Sequence, residues 1–409
     1  MSWVEWVQWL PWRTWVESVH WQILIPWITF AIWAVIFIRT IPDLVRTPQL
    51  SRIEQPATRI AQAANARRAQ DKVSVIVAAR DESSRIRQTV ESLLRQTYGN
   101  LELILVNDRS TDETGPEIDQ LAAQHREIKA IHIRELPPGW LGKNHALYVG
   151  ATAASGQWLL FADADVWFYP DAIERAMDYV HRHNLHHLTV APALIAQGYW
   201  LRLLTAAYIF NYVLFKRPQS AYRPRAKAHA GIGAFNLVER SAYHACGTHQ
   251  AIALRPDDDL HLGKQIKRKG FRQRFVIARQ FIEIEWYPNL RAMIVGMEKA
   301  PLPAFRYSAG LLFLSMIVMM ALYSTPFIGA LASSGWTRLI YLSALVMMGI
   351  LYELNAVFLR FPKHQFLILP LGMALYAFSF SRSAVMALKR GGLVWRDTFY
   401  TLRELRRGM

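Results

Sequence analysis

The chain has 409 residues, of which 52% are hydrophobic and 19% are charged, and its formal net charge is +16. This length allows more than one module, and so apolar a composition favours a protein that lies partly in a lipid bilayer. The basic residues flank apolar segments and no nucleic-acid motif is present, so we exclude nucleic acid and expect anionic lipid headgroups and diphosphates as partners. The single cysteine excludes an internal disulfide.

The N-terminal region predicts a retained membrane anchor. Tryptophan recurs within residues 1–20, and a charge-free run from Ile23 to Ile38 follows and ends at Arg39. Tryptophan is typical of membrane–water interfaces, and the region lacks the basic start and small-residue cleavage site of a signal peptide. We therefore predict an interfacial segment over 1–20 and a transmembrane anchor over 21–40. An amphipathic core helix is the alternative.

Residues 72–285 alternate between predicted strands and predicted helices. Ser83 or Ser84 is expected to cap the first helix. The alternation indicates a mainly parallel sheet with helices on both faces, in which ligands bind at the carboxyl ends of the strands. The predicted elements are strands Val73–Ala79, Leu101–Val106, Ala130–Ile133 and Trp158–Ala162, and helices ending near Gln96, His125, Ala154 and His183.

Asp163 and Asp165 follow the predicted strand Trp158–Ala162. Residues i and i+2 of a strand point to the same face, so we expect the two carboxylates to lie together. Such like charges repel unless a cation or a proton compensates, and hard oxygen ligands suit Mg²⁺ or Mn²⁺ that carries substrate phosphates. A solvated turn after the strand is the alternative.

Three apolar segments follow the middle region. Residues 308–331 are charge-free, whereas the next two segments carry Glu353 and Arg382, for which we expect an ion pair. We predict an interfacial amphipathic segment over 286–307, a transmembrane region over 308–390 with two to three spans, and a basic tail over 391–409. Basic flanks favour a cytoplasmic middle region. Three C-terminal spans would place the basic tail outside the cell, whereas its basic residues favour the cytoplasmic side. The sequence therefore leaves open on which side of the membrane the tail lies.

Four motifs in chain order resemble those of glycosyltransferase family 2, which has the GT-A fold. The resemblance covers residues 72–285 and implies an α/β fold with a mainly parallel sheet flanked by helices, one N-terminal and two to three C-terminal transmembrane helices. Gly139–Lys143 and Asp258–Lys264 are similar to ceramide glucosyltransferases and bacterial hopanoid-associated enzymes. The motifs are Val77-Ala-Ala-Arg-Asp81-Glu82, Val106-Asn-Asp108, Asp163-Ala-Asp165 and Asp257-Asp258-Asp259.

The resemblance also implies roles on the donor side. The implied roles are contact with the base and ribose for Asp81 and Glu82, hydrogen bonding to uracil or ribose for Asp108, diphosphate binding at a helix N-terminus for Lys143, and Mg²⁺ or Mn²⁺ binding on that diphosphate for Asp163 and Asp165. The alternatives are a helix N-terminal charge pair for Asp81 and Glu82, an Asx-type cap before Ser110 for Asp108, and a surface lysine for Lys143.

Asp259 is the candidate catalytic base, and Asp258 is the second candidate. An inverting transfer needs a carboxylate that takes the proton of the acceptor hydroxyl as it attacks the anomeric carbon, and neighbouring carboxylates raise the proton affinity of such a base. A helix-capping acidic cluster is the alternative.

One motif of the related enzymes is missing. Many of them carry Gln/Arg-x-x-Arg-Trp after the base, where this chain reads Glu285-Trp-Tyr-Pro-Asn-Leu-Arg291. Arg291 is one candidate to bind diphosphate or acceptor instead, and the Trp395–Arg396 pair of the tail is another. The missing motif argues against processive polymer synthesis.

The sequence therefore predicts a membrane-bound inverting glycosyltransferase that moves one hexose from a UDP-sugar to a lipid hydroxyl at the bilayer surface. Its catalytic domain would face the cytoplasm at a bacterial inner membrane. The apolar stretch Tyr199–Phe215 would lie at the membrane interface on the acceptor side, with a buried domain helix as the alternative. Alternative functions are a polyprenyl-phosphate glycosyltransferase, whose acceptor is already ionised, a polysaccharide synthase and a non-catalytic transporter.

Overall fold

The computed structural model describes residues 21–50, 71–278, 280–299, 301–359, 361–395 and 398–407. The interfacial segment predicted over 1–20 lies outside the described residues, as does Arg396 of the Trp395–Arg396 pair.

The strands form a large central sheet and two small ones. Strand β1 is buried along its whole length, as expected for a sheet covered on both faces. The strands are β1 (Val73–Ala79), β2 (Leu101–Asp108), β3 (Ile128–Ile133), β4 (Trp158–Asp163), β5 (Val166–Phe168), β6 (His187–Ala191), β7 (Ala193–Leu194), β8 (Asn236–Glu239), β9 (Gln273–Ile277), β10 (Ile282–Ile284), β11 (Gly392–Trp395) and β12 (Thr398–Thr401).

The central sheet has seven strands in the order β3-β2-β1-β4-β8-β6-β9. Neighbouring strands are parallel except where β8 pairs antiparallel with β4 and with β6. The mixed α/β fold with a mainly parallel sheet and helical flanks is therefore confirmed. Because β1, β2 and β4 are adjacent and parallel, their carboxyl ends meet at one edge, which brings the predicted polar residues together.

The helices flank the sheet or form an apolar bundle. They are α1 (Trp21–Val45), α2 (Ile86–Leu94), α3 (Thr114–Gln124), α4 (Gly142–Ala153), α5 (Ala172–Arg182), α6 (Tyr199–Asn211), α7 (Arg240–Ala245), α8 (Asp258–Arg268), α9 (Leu290–Gly296), α10 (Pro301–Ala304), α11 (Ala309–Ala332), α12 (Gly335–Leu359), α13 (Leu369–Arg390) and α14 (Leu402–Arg407).

The predicted cap of helix α2 is wrong. The helix begins at Ile86, and no side chain caps it. Ser83 instead donates its backbone N–H to Asp112 Oδ2 at 3.1 Å, so the residues before α2 bind the neighbouring loop rather than the helix end.

Four helical segments are long and apolar enough to span a membrane: Trp21–Val45, Ala309–Ala332, Gly335–Ala356 and Lys363–Arg390. They share a second apolar core in which Trp33, Tyr323 and Tyr352 are almost fully buried. Trp33 Nε1 donates to the Leu322 carbonyl oxygen at 3.2 Å, so the anchor helix α1 packs on α11. The chain thus has one N-terminal and three C-terminal apolar helices.

The ion pair expected between Glu353 and Arg382 does not form. Glu353 Oε2 lies 3.0 Å from Lys363 Nζ, and Arg382 Nη1 lies 2.5 Å from Glu298 Oε1. Glu353 lies in the last two turns of α12, where it reaches the lysine just beyond the helix. Arg382 faces the turn Met297–Lys299 instead.

Both ends of α13 contact segments that precede the C-terminal apolar helices. Just before the helix, Gln365 Nε2 donates to the Tyr199 carbonyl oxygen at 3.2 Å, and at its end Arg390 Nη1 lies 2.8 Å from Glu298 Oε2. Beyond it, β11 and β12 form a hairpin, and the Tyr400 hydroxyl contacts the backbone N–H of Gly142 at the start of α4. The hairpin of the basic tail therefore contacts the start of α4.

Helix α6 is buried over most of its length. Leu203 and Ala207 face Gly372 of α13, while large side chains are exposed at both ends of the stretch Tyr199–Phe215. The middle of this stretch is thus a buried helix, and only its ends are free to meet a membrane interface.

Candidate active site

The loops that follow β1 and β2 bind each other. Asp81 Oδ1 accepts from the backbone N–H of Thr111 at 2.7 Å, and the N–H of Glu82 donates to Thr114 Oγ1 at 2.8 Å. Asp81 adopts a φ of 53°, which few residues other than glycine tolerate unless their surroundings impose it. Both acidic residues therefore lie at the sheet edge before helix α2, and the Glu82 carbonyl oxygen accepts from the Ile86 N–H at the start of that helix, so the alternative of a helix N-terminal charge pair stays open.

Asp108 ends β2 and is almost completely buried. Its carboxylate accepts from Arg109 Nε at 2.8 Å and from Arg109 Nη2 at 3.3 Å. The cap before Ser110 is supplied by Asn107, whose Oδ1 accepts from the Ser110 N–H at 3.1 Å, so the Asx-cap alternative does not hold for Asp108. A Cβ on Gly142 would lie 2.3 Å from Asp108 Oδ2, so helix α4 begins in direct contact with this carboxylate.

Lys143 lies in the first turn of α4, and its Nζ is 2.6 Å from Asp163 Oδ1. Burial by itself lowers the pKa of Lys143, but the negative charges of Asp163, Asp258 and Asp259 outweigh it, and the pKa is raised. The lysine is therefore a cation held among three carboxylates and not a solvated surface residue.

Asp163 is the last residue of β4, and Asp165 follows in the turn before β5. The prediction that Asp163 and Asp165 point to the same face of one strand is thus wrong, because Asp165 lies beyond the strand. The two carboxylates still repel each other. Burial and then the charge of Asp163 raise the pKa of Asp165, against the opposing charge of Arg85, whose Nη1 lies 3.5 Å from Asp165 Oδ2. Arg85 also pairs with Glu285 at 3.1 Å.

The pair fits a divalent cation that is completed by a substrate. Within the described part of the chain, no cluster of three or more histidine, cysteine or acidic residues forms a metal site. Mg²⁺, however, is usually bound by one or two carboxylates together with substrate phosphates and water. Asp163 and Asp165 supply that donor set, and a cation would relieve their repulsion.

The three consecutive aspartates lie in different environments. Asp257 pairs with Arg255 at 3.0 Å and with His261 at 3.1 Å, and these contacts lower its pKa although burial alone would raise it. Asp258 is buried, and its pKa is raised by burial and by the charge of Asp163 in spite of Lys143. Asp257 is therefore neutralised by its partners, whereas Asp258 is not.

The pKa of the Asp259 carboxyl is raised. Burial and then the charge of Asp258 raise its pKa to about 7, while Lys143 opposes that rise. Its Oδ1 accepts from the Leu260 N–H at 2.6 Å in the first turn of α8. A Cβ on Gly231 would lie 1.9 Å from the Asp259 carbonyl oxygen, so the chain around Gly231 packs directly on the start of this helix. Asp257 occupies the N-cap position of α8 without a side-chain cap hydrogen bond, while Asp258 and Asp259 lie in its first turn, so the alternative of a helix-capping acidic cluster stays open.

A cavity of about 310 Å³ connects these carboxylates with the apolar bundle. Lys143, Asp163, Asp258 and Asp259 line its polar end. The apolar wall includes Leu44 of α1, Ile209 of α6 and Trp286, and the polar Asn355 of α12 also borders the cavity. The cavity can therefore hold a molecule with a polar head and an apolar body.

The sequence did not indicate Tyr208, Tyr212 and Trp286 as site residues. The structure places all three in the cavity wall, and the Tyr208 and Trp286 rings pack edge to face with centroids 5.0 Å apart. A signal was available, because Tyr208 and Tyr212 are four residues apart and so share a helix face.

Arg291 lies on the exposed side of α9 and is not among the described residues that line the cavity. Trp395 ends β11 in the tail hairpin. The structure therefore does not bring Arg291 to the carboxylates.

Comparison with known proteins agrees with this geometry. The sequence profile described as "Glycosyltransferase like family 2" matches residues 69–285, which is more than half of the chain. The chain belongs to glycosyltransferase family 2. It is 32% identical over 132 residues to an uncharacterized glycosyltransferase of Haemophilus influenzae, covering 32% of this chain and 37% of that one. It is 28% identical over 181 residues to the 4,4'-diaponeurosporenoate glycosyltransferase of Staphylococcus aureus, covering 44% of this chain and 47% of that one.

Family 2 membership thus rests on the catalytic region, since the matches span less than half of each relative. Among solved structures, the fold is similar to that of a mannosyltransferase from Pyrobaculum calidifontis in complex with GDP-Man and Mn²⁺. The TM-score is 0.51 at 17% identity, covering 87% of this chain and 96% of the other. This family 2 chain therefore has the GT-A fold.

Proposed function

We propose that this family 2 glycosyltransferase is a metal-dependent, inverting enzyme that moves a single hexose from a UDP-sugar to the hydroxyl of a membrane lipid. The observation that carries the proposal is the cavity that joins the Asp258–Asp259 carboxylates to apolar side chains of α1 and α6. A water-soluble acceptor would not need an apolar wall of this kind, whereas a lipid gains free energy from it.

Asp259 would act on the acceptor. Its carboxylate takes the proton of the lipid hydroxyl while that oxygen forms a bond to the anomeric carbon and the bond from that carbon to the diphosphate oxygen breaks. The nucleoside diphosphate leaves with the electron pair of the broken bond. A pKa near 7 suits a base at neutral pH, because it combines a sizeable ionised fraction with high proton affinity.

The donor would lie along the ends of β1, β2 and β4. Asp81, Glu82 and Asp108 border the expected base and ribose site, and Lys143 at the start of α4 supplies a cation and helix N–H groups for the diphosphate. Asp163 and Asp165 would hold Mg²⁺ or Mn²⁺, which neutralises charge on the leaving diphosphate. The Pyrobaculum enzyme, which is bound to GDP-Man and Mn²⁺, supports a sugar nucleotide and a divalent cation here too.

The membrane arrangement follows from the tail. Gln365, just before α13, contacts Tyr199, and Arg390 at its end contacts Glu298. From these contacts we infer that α1, α11 and α12 cross the bilayer and that α13 lies along its surface beside α6. The basic tail and the catalytic domain would then both face the cytoplasm of a bacterial inner membrane, as the basic residues favour. Anionic lipid headgroups would contact these basic residues.

The direct test is a transfer assay with purified full-length protein. It would combine UDP-glucose, UDP-galactose, UDP-N-acetylglucosamine and GDP-mannose with vesicles that contain dioleoylglycerol, ceramide, a hopanoid alcohol or a polyprenyl phosphate. Mass spectrometry of the lipids should show one added hexose on a lipid alcohol, only with a divalent cation. Long polymer, or products on polyprenyl phosphate alone, would contradict the proposal.

A further inference from the structure

Tyr212 begins a short π-helical turn that continues α6. The turn spans Tyr212–Lys216, and the Arg217 N–H donates to the Tyr212 carbonyl oxygen at 3.3 Å. Such wide turns are rare and occur frequently at functional sites. This one is held in place, because Arg217 Nη2 donates to Asp43 Oδ2 of the anchor helix at 3.0 Å. The turn that begins at Tyr212 is therefore tied to the anchor helix through Arg217.

The Tyr212 hydroxyl is buried, and no described residue hydrogen bonds to it. A buried hydroxyl without a partner costs free energy, and a phenylalanine would avoid that cost at almost the same volume. The cost is offset if a ligand supplies the missing hydrogen bond.

The surroundings of Tyr212 indicate which ligand that is. The residue lines the cavity that contains Asp258 and Asp259. Burial and then the negative charge of Asp259 raise the pKa of Tyr212, so its hydroxyl stays protonated and remains a hydrogen-bond donor. An unpaired hydroxyl alone would not be sufficient evidence, because the Tyr307 hydroxyl is also buried without a described partner, but Tyr307 does not line this cavity.

We propose that the Tyr212 hydroxyl binds the hydroxyl-bearing end of the acceptor lipid and holds it beside Asp259. This inference rests on the function proposed above. A hydroxyl has one hydrogen to donate and two lone pairs. The acceptor oxygen can therefore accept a hydrogen bond from Tyr212 with one lone pair, direct the other at the anomeric carbon, and give its proton to Asp259. Tyr212 itself forms no covalent bond in this step.

The test replaces only the hydroxyl, in the full-length protein. Tyr212→Phe should raise the KM for whichever of dioleoylglycerol, ceramide and the hopanoid alcohol the wild type uses, by about threefold to tenfold, which corresponds to one hydrogen bond. The KM for the UDP-sugar should stay unchanged, and the thermal midpoint of unfolding should not fall. Tyr307→Phe is the matched control, because it removes the same kind of buried, unpaired hydroxyl outside the cavity, and it should leave the acceptor KM unchanged.

The possible failures can be told apart. If the wild type glycosylates none of the three lipid alcohols, the proposed function fails and this inference fails with it. If the wild type does so but Tyr212→Phe keeps its acceptor KM, only the role of Tyr212 is overturned. An equal rise in KM for Tyr307→Phe would also overturn it, because the effect would then not depend on the cavity.

Discussion

The two halves of the active site are built in different ways. In the donor half, the carboxylates of Asp81, Asp108 and Asp163 each have a protein partner within hydrogen-bond distance. In the acceptor half, Asp259 has a pKa raised to about 7 and Tyr212 has a buried hydroxyl without a described partner. The donor carboxylates are thus bound by protein groups before any ligand binds, whereas the acceptor half keeps the Tyr212 hydroxyl available for one.

The contrast suits the two ligands. A sugar nucleotide carries many polar groups, and loops that already bind each other lose little conformational entropy when it arrives. A lipid offers only a small polar head for recognition, so the binding energy must come from an apolar wall and from a few groups near the reacting oxygen. Changes in the two halves should therefore affect different kinetic constants.

The largest effect is expected for Asp259→Asn. An amide cannot take the acceptor proton, so kcat for transfer to a lipid alcohol should fall by about a hundredfold to ten-thousandfold, while UDP-sugar binding in the donor half persists. Single-turnover transfer and equilibrium binding of the nucleotide measure the two separately.

Asp258→Asn is the matched control, because it changes the neighbouring carboxylate in the same way. A larger loss in this variant than in Asp259→Asn would make Asp258 the base. Retained transfer to polyprenyl phosphate by Asp259→Asn would instead indicate an acceptor that needs no base.

Asp165→Asn should have the next largest effect, on the donor half. Loss of one carboxylate should raise the Mg²⁺ or Mn²⁺ concentration needed for half-maximal activity by about tenfold to a hundredfold. A metal titration of the transfer rate measures this, and the KM for the acceptor should change little. Wild-type activity that survives complete chelation of divalent cations would contradict a metal role for Asp163 and Asp165.

The donor half could be predicted because its residues follow strands in chain order. A parallel sheet places the ends of β1, β2 and β4 side by side, so Asp81, Asp108 and Asp163 were expected to meet and do so. Two details were predicted wrongly: Asp165 lies in the turn after β4 and not on the strand, and neither Ser83 nor Ser84 caps α2. The cause is that hydrogen bonds between neighbouring loops decide where a strand or helix ends, and a one-dimensional pattern does not contain them.

The acceptor half could be predicted only in part. The sequence indicated Asp258 and Asp259, but Tyr212, Gly231 and Trp286 come from segments whose proximity depends on long-range packing against the apolar bundle. The expected pair of Glu353 and Arg382 failed for the same reason. Hydropathy finds the apolar helices, whereas the partner of each charge depends on how the helices are arranged.

Two glycine substitutions compare the halves with the same chemical change. In Gly231→Ala, the new Cβ would meet the backbone of Asp259 at 1.9 Å, and backbone cannot easily move away. We expect a loss of about 1–3 kcal/mol in stability together with a fall in transfer to the lipid. In Gly142→Ala, the Cβ would meet the ends of the Asp108 and Arg109 side chains, which can rotate, so the main effect should be a smaller rise in the KM for the UDP-sugar.

Thermal unfolding, the KM for the UDP-sugar and the KM for the lipid acceptor distinguish these variants. If Gly142→Ala destabilised the protein as much as Gly231→Ala, the side chains of the donor half would be as rigid as backbone. If both variants raised the same KM, the division of the site into two halves would be wrong.

The pH dependence of transfer should be confined to the acceptor half. The pKa of Asp259 is about 7, so the base is protonated and inactive below that pH, and kcat/KM for transfer should fall by about tenfold per pH unit there. Asp259→Asn should remove this slope from any residual activity. A slope that persists in the variant would assign the titration to another group.

The free energy of unfolding should fall over the pH range in which the transfer rate rises. A carboxyl whose pKa is higher in the folded than in the unfolded state stabilises the fold while it is protonated, and this contribution is lost as pH rises through the folded-state pKa of about 7. Unfolding measured from the ordinary aspartate pKa of 3.8 up to about 7 should therefore show the wild type losing stability relative to Asp259→Asn as the transfer rate increases. An equal pH dependence of stability in the two proteins would mean that Asp259 is not the carboxyl held protonated by burial.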